Sequence, residues 1–121
     1  LLVRSLDIGG VHDFVTGVWT FSDQLYALWG VQPGGLIPGV TENLIVEEDR
    51  ERAWAAWREA SLLGGQHIYD YRIKRANDGA ERIIRSSVEV ELGPEGRPLR
   101  GRGTHLDITL SQPWIRARQL K

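Results

Sequence analysis

Three histidines, one acidic run and one glycine-rich loop are the parts of this 121-residue chain that could do chemistry. His12, His67 and His105 carry nitrogens that could bind a metal ion. Their separations match no local ligand pattern, and the chain has no cysteine to complete a site. We therefore predict that all three are structural or surface histidines and that the chain holds no metal.

The acidic run and the glycine-rich loop are equally poor candidates for catalysis. Residues 47–49 are Glu-Glu-Asp at a predicted helix start, where carboxylates favour the positive end of the helix dipole. Residues 33–35 are Pro-Gly-Gly, without the lysine and strand–helix context of a phosphate loop. Ser22 has no identifiable base nearby and is typical of a helix N-cap. We predict that this domain is not itself an enzyme.

The composition limits the compartment and the partners of the chain. It is 41% hydrophobic and 26% charged, as in an ordinary globular domain. The net charge of −1 argues against a nucleic-acid partner, which usually selects a basic surface. The lack of cysteine suits a reducing compartment, and no apolar run is long enough to span a membrane. We expect a cytoplasmic domain without membrane contact and, since the sequence begins without Met, a piece of a longer protein.

Basic residues recur along the second half of the chain, but acidic residues lie between them. Their alternation along predicted strands favours a solvated sheet face with cross-strand ion pairs over a nucleic-acid site. The basic residues are Arg72, Lys74, Arg82, Arg85, Arg100 and Arg102, and the acidic ones are Asp70, Glu89 and Glu91.

The N-terminal third predicts the end of a helix followed by a strand pair. Residues 1–8 have an apolar stripe at helical spacing, and we expect Gly9-Gly10 to stop that helix. Two short strands are predicted, at about 11–15 and 18–21.

Two helices are predicted in the middle of the chain. The first is capped by Ser22 and stopped at Gly30, and the second runs over residues 47–63. The inward stripe predicted for the second helix consists of Ala53, Trp57, Ala60 and Leu63.

The periodicity changes to two after residue 67, which indicates strands at about 67–74, 81–92 and 98–108. Asn-Asp-Gly at 77–79 predicts a hairpin turn between the first two. The buried face predicted for the middle strand consists of Ile84, Ser86, Val88 and Val90. The order of elements predicts an α+β fold, a five-stranded antiparallel sheet with helices packed on one face.

Four segments of the chain, in order, resemble a PAS domain of the type common in bacterial sensor histidine kinases. They are residues 16–30 (TG, then FSDQLY and WG), 48–50 (EDR), 71–86 (YRI, DG and IIRS) and 103–109, which ends in Asp-Ile-Thr. The resemblance implies a PAS-like fold and a sensory or interaction module of a signal-transduction protein, most closely a histidine kinase of a two-component phosphorelay. A PAS module of a diguanylate cyclase or phosphodiesterase remains an alternative.

The resemblance also implies boundaries and partners. Residues 1–8 end an entering linker helix, 9–109 form the PAS domain, and 110–121 begin an exit helix toward an output domain of the parent chain. Asp107 and Thr109 are expected to anchor the signal-relay junction. Leu2, Leu6 and Trp114 are expected to contact a second copy in a homodimer, with a frayed chain end as the alternative for 110–121.

If a ligand binds, we expect its pocket between the concave face of the sheet and the helices. Its candidate lining consists of Trp29, Trp57, Tyr69, Tyr71, Ile84, Ser86 and Val88. The alternative is that these side chains only fill the core. The family's haem ligand, a histidine on the long helix, is absent from residues 48–63, and a covalent flavin adduct needs a cysteine. We expect no cofactor, although a non-covalent flavin or small metabolite remains compatible.

A second function class is a stand-alone cone-type α+β protein that binds a small molecule, such as a ketosteroid-isomerase-like enzyme. That class requires a buried carboxylate base. Asp70 is the best candidate for it, but its strand parity directs it away from the face of Tyr69 and Tyr71.

Overall fold

A computed structural model describes residues 9–33 and 43–111 of the chain. The strands are β1 (Gly9–Asp13), β2 (Trp19–Phe21), β3 (Gly65–Lys74), β4 (Glu81–Leu92) and β5 (Pro98–Asp107). The α-helices are α1 (Asp23–Trp29) and α2 (Glu47–Leu63), and single 3₁₀ turns cover Pro94–Gly96 and Thr109–Ser111. The predicted α+β class is confirmed.

The five strands form one antiparallel sheet in the order β2-β1-β5-β4-β3. The last strand, β5, is therefore central and pairs with both β1 and β4. Gly9 lies opposite Thr104 and Asp13 opposite Arg100, so the chain enters β1 at the same end at which it leaves β5.

The first helix is fixed by a cap at its start and by the β3–β4 hairpin at its end. The Ser22 hydroxyl accepts a hydrogen bond from the amide of Leu25, as the N-cap prediction requires. Gly30 ends the helix in the left-handed region at φ 74°. The guanidinium of Arg75 donates to the carbonyls of Ala27 and Leu28 in the last turn, and the carbonyl of Ala27 also accepts from the amide of Gly30.

The second helix packs on β3, β4 and β5 through a narrow face. Asp49, Ala53 and Ala60 are buried on this face, and Trp57 is partly buried. Leu63 was predicted on this stripe, and that prediction is wrong because its side chain is 63% exposed. It lies in the last turn, immediately before Gly64 ends the helix at φ 68°.

The alternation predicted for β4 is confirmed, since Ile84, Ser86, Val88 and Val90 are all buried. The opposite face of the sheet carries paired charges. Asp70 accepts hydrogen bonds of 2.9 and 3.1 Å from Arg85 directly across the β3–β4 ladder. This contact agrees with the predicted cross-paired sheet face.

Gly9 and Gly10, predicted to stop the entering helix, both lie in β1, so the first strand begins two residues before its predicted start at residue 11. At Gly10 a side chain would collide with Phe21, whose Cδ1 lies 2.8 Å from the Cβ position. The glycine therefore serves the packing of β2 against β1. The predicted entering helix lies outside the described residues, as does most of the exit segment, of which residues 110 and 111 continue the 3₁₀ turn.

No helix in the described part of the chain is long and apolar enough to cross a membrane. Within the same ranges, no group of three or more histidine or acidic side chains is placed to hold a metal ion.

Candidate functional site

The seven predicted pocket residues converge on the face of the sheet that the helices cover. Trp29, Tyr71 and Ile84 belong to one buried cluster, in which Leu25 and Ile73 also take part. Val88 belongs to a second cluster with Ala60 and Val90, against which Trp57 packs. Tyr69 packs on both clusters and Ser86 is fully buried beside them. Whether they line a ligand pocket stays a prediction.

Three polar atoms meet at the centre of this face. The Ser86 hydroxyl lies 3.0 Å from the Tyr71 hydroxyl and 2.8 Å from Nδ1 of His105. The Tyr71 hydroxyl is itself 3.1 Å from the same Nδ1. Ser86 stands opposite His105 in the β4–β5 register, which directs both side chains to the covered face. We call this set the polar triad.

His105 is the member of the polar triad that sequence reasoning missed as a site residue. Burial lowers the pKa of His105 to about 4, because the imidazolium would lose its hydration without gaining an anionic partner. The ring is therefore neutral at pH 7. The alternation along β5 places His105 on the same face as Asp107, and this was the signal in the sequence. The hydrogen-bonding partners of His105, Ser86 and Tyr71, lie 19 and 34 residues away in the sequence.

The two tyrosines of the site are also held in their neutral form. Burial raises the pKa of Tyr69 to about 12. The pKa of Tyr71 is raised further by burial, although the hydrogen bond from Ser86 opposes the shift. The interior of the site therefore offers hydroxyl groups and an imidazole, with no formal charge on any of them.

One end of the covered face is filled by aromatic side chains. The Cη2 atom of Trp57 lies 3.0 Å from the Cβ position of Gly101, so the indole occupies the space that a side chain would take. Trp57 stacks on Phe14 at 5.7 Å between ring centroids. Trp19 stacks in turn on His12 at 3.9 Å. Burial lowers the pKa of His12.

The predicted relay junction is a compact set of bonds at the end of β5. Thr109 is buried, and its hydroxyl accepts a 2.8 Å hydrogen bond from the amide of Ile83. The same hydroxyl donates to Asp107 at 2.6 Å. The other oxygen of Asp107 faces Arg82 at 3.4 Å. An open groove of about 710 Å³ is lined by Arg82, Asp107, Thr109, Leu110 and Ser111.

Leu2, Leu6 and Trp114, the predicted dimer contacts, all lie outside the described residues. Their role stays a prediction.

Comparison with known families assigns the chain. The family described as the PAS fold matches residues 18–105, which include α1, α2, the polar triad and most of β5. The chain belongs to the PAS fold family. The resemblance inferred from the four sequence segments is thereby confirmed.

Solved structures agree with this assignment. The N-terminal domain of a diguanylate cyclase with PAS/PAC sensor from Marinobacter aquaeolei is 25% identical, with a TM-score of 0.73 over 85% of this chain and 95% of that one. A sensory box histidine kinase/response regulator from Burkholderia thailandensis is 23% identical, with a TM-score of 0.72 over 94% and 87%.

A light-oxygen-voltage domain studied with a flavin analogue is 14% identical, with a TM-score of 0.69 over 95% and 85% of the two chains. The last two likenesses, both below 25% identity, show the fold alone. A search of curated proteins found no match.

Proposed function

We propose that this PAS domain is a cytoplasmic sensory and interaction module of a bacterial sensor histidine kinase. A change on the covered face of the sheet, caused by a ligand or a partner, is passed to an output domain of the parent chain. The PAS family assignment supports the sensory role. The fold likeness to a sensory box histidine kinase supports the choice of a histidine kinase as the parent protein.

The relay junction is the observation that carries this proposal. Thr109 bonds to the backbone of β4 and to the side chain of Asp107, which closes β5. A displacement between β4 and β5 must therefore move Thr109 or break its bonds. Since Thr109 begins the segment that follows the sheet, the same movement reaches whatever lies downstream.

Replacing Thr109 by Val should uncouple the domain from its output. The substitution keeps the shape but leaves the amide of Ile83 without its acceptor, at a cost of about 1–3 kcal/mol. We expect autophosphorylation of the full-length parent protein to change at least several-fold, and Thr109→Ser, which keeps the hydroxyl, to restore it. Thr104→Val is the matched control, because Thr104 is exposed on β5, the strand that ends two residues before Thr109. Equal effects of Thr109→Val and Thr104→Val would refute the relay.

We also propose that the domain forms a homodimer through the flanking segments, with Leu2, Leu6 and Trp114 at the contact. The apolar stripe of both segments supports this. Light scattering on the purified chain should report a dimer, and Trp114→Ala should raise its dissociation constant at least tenfold. A strict monomer at high concentration, unchanged by the substitution, would remove the dimer from the proposal.

The ligand chemistry is restricted by the residues of the chain. With no cysteine in the sequence and no histidine on α2, a covalent flavin adduct and haem ligation from that helix lack their donors. A non-covalent flavin or small metabolite fits the neutral, aromatic interior, and the structural likeness to a light-oxygen-voltage domain supports testing a flavin. Absorbance near 450 nm, which is about where flavins absorb, in the freshly purified protein would identify one.

A diguanylate cyclase is the second candidate for the parent, because the 25% identical structure is the N-terminal domain of a diguanylate cyclase with PAS/PAC sensor. The ketosteroid-isomerase-like alternative has less support. Asp70, its candidate base, lies on the other face of the sheet and is bound by Arg85, so it cannot act inside the covered face.

A further inference from the structure

One edge of the sheet is formed by β3, and the two halves of this edge differ. In the second half, other parts of the chain bond the outer backbone groups. The amide of Arg72 donates to Oδ2 of Asp49 at 2.9 Å, and its carbonyl accepts from the amide of Val46 at 2.9 Å. The carbonyl of Asp70 accepts from the guanidinium of Arg52. The second half of β3 is therefore closed to any further strand.

The first half of the same edge is open. Backbone groups alternate in direction along a strand. Those of Gln66 and Ile68 therefore point the same way as those of Asp70, away from β4. Within the part of the chain that the structure describes, nothing bonds the outer amides and carbonyls of Gln66 and Ile68. We call these backbone groups the open edge. Such a row is a template for pairing with another strand.

The path of α2 across the sheet explains why this half is open. The start of the helix lies at the β3 edge, where Asp49 bonds Arg72. Later in the helix, Trp57 lies over Gly101 of the central strand β5. The helix therefore crosses the sheet diagonally, away from the β3 edge. It leaves the start of β3 uncovered, and the side chain of Ile68 is 63% exposed there.

The sequence around the open edge lacks the features that usually prevent strands from pairing. Exposed edges are commonly protected by charged residues or by proline. Residues 60–69 contain no Asp, Glu, Lys, Arg or Pro. They do contain exposed apolar side chains, since Leu62 is 77% exposed and Leu63 is 63% exposed, like Ile68. An unpaired, uncharged and partly apolar edge favours association with another strand.

We propose that the open edge pairs with the open edge of a second copy of this chain, antiparallel and two-fold symmetric about His67. In this register Gln66 lies opposite Ile68 of the second copy, and the two residues exchange both of their backbone hydrogen bonds. Symmetry repeats the pair, so every group of the open edge is bonded. A register centred on Ile68 would instead place Gln66 opposite Asp70, whose carbonyl is already bonded by Arg52.

A second copy fits this edge because the segment is complementary to itself. Reversing the strand about His67 exchanges the groups of Gln66 with those of Ile68 and returns the same pattern. Without charged side chains, two copies meet without like-charge repulsion, and a partner steered by charge finds nothing to recognise. The two exposed Ile68 side chains become diagonal neighbours, close enough to touch. The contact is small, so the dimer is weak and depends on concentration.

The register determines which single cysteine should cross-link, and the chain has no cysteine of its own. His67→Cys faces its own copy at a Cα separation of about 4.5 Å, at which a disulfide can close. Gln66→Cys faces Ile68 of the second copy, so it should cross-link efficiently only when mixed with Ile68→Cys. With copper phenanthroline as oxidant and millimolar protein, His67→Cys should form dimer several-fold faster than Gln66→Cys. Equal rates, or no dimer from His67→Cys, would overturn the proposal.

Two lysine variants in the His67→Cys background form a matched pair. Ile68→Lys places like charges beside the two-fold axis and should slow cross-linking several-fold. Leu106→Lys should leave the rate unchanged, because Leu106 is similarly exposed, at 59%, but lies on the central strand β5. Circular dichroism checks that both variants fold. Equal slowing by the two lysines would place the contact on the face of the sheet and refute pairing at the edge.

The open edge does not depend on the proposed function, and Trp114→Ala separates the two. In the His67→Cys background this substitution should leave the cross-linking rate unchanged, whatever it does to a dimer formed through the flanking segments. Loss of the cross-link in Trp114→Ala would show that the flanking segments hold the copies together, which would overturn pairing through the open edge. A cross-link that forms only in the full-length parent protein would likewise assign the association to another part of that protein.

Discussion

Replacing Asp49 by Asn should lower the free energy of unfolding by about 2 kcal/mol, a loss expected when a buried carboxylate with charge-assisted hydrogen bonds is neutralised. Oδ2 of Asp49 accepts from the backbone amide and Nε of Arg72, both at 2.9 Å, and Oδ1 accepts from Nη2 at 3.0 Å. The carboxylate is only 10% exposed. An amide at this position would turn one NH₂ group toward the guanidinium.

The sheet supplies a matched control for this substitution. Asp70 forms the same two-pronged contact with Arg85, but both side chains are at least 40% exposed. Water competes there, so Asp70→Asn should cost far less stability. Urea titration, monitored by tryptophan fluorescence, measures the free energy of unfolding of both variants. Their midpoints are compared at equal dependence of that free energy on urea concentration. Similar losses for the two variants would show that the burial of Asp49 is not what matters.

Acidification should destabilise the domain in two separate steps. The first step belongs to His105, whose pKa falls from 6.5 in the unfolded chain to about 4 in the folded one. Above pH 6.5 the ring is neutral in both states. Between pH 6.5 and 4 the unfolded chain binds a proton at His105 that the folded chain does not bind. The free energy of unfolding therefore falls by about 3 kcal/mol over this window.

The second step belongs to Asp49. The hydrogen bond from Arg72 holds the pKa of this carboxyl below 3.8, so its contribution is complete above that value and is lost as the pH falls further. His105→Gln should flatten the stability profile between pH 6.5 and 4 and leave the steep part below it. His12→Gln, at a partly exposed ring whose pKa is lowered too, should remove only a minor part of the slope. An unchanged profile in His105→Gln would contradict the assignment.

The strands were predictable because their signals are local. The alternation in β4 and the Asn-Asp-Gly turn each lie within a few residues, and both were placed correctly. The same locality explains two errors. The first strand was predicted at 11–15 because Gly9-Gly10 has the composition of a helix stop, whereas β1 covers Gly9–Asp13 and includes both glycines. Leu63 has the right helical spacing, but it lies in the last turn, just before Gly64 ends the helix.

The site was harder to predict because its contacts are long-range. Asp49 was explained by the helix dipole, whereas its main partner, Arg72, is 23 residues away. Arg72 was counted with the basic sheet residues for the same reason. The seven candidate pocket residues were placed correctly on the covered face because core residues can be identified from periodicity. His105 was not predicted as a site residue. Its role depends on the register of β4 with β5, which pairs residues that lie far apart in the sequence.

The shared end at which the chain enters β1 and leaves β5 has a mechanical consequence. When the flanking segments are pulled apart, force acts on Gly9 and Asp107 at the same end of an antiparallel pair. The hydrogen bonds of this pair are then loaded one after another, as in a zipper, and not all at once as in shear. Under tension the central strand should therefore peel from β1 at low force, and a single-molecule pulling trace should show no high rupture peak.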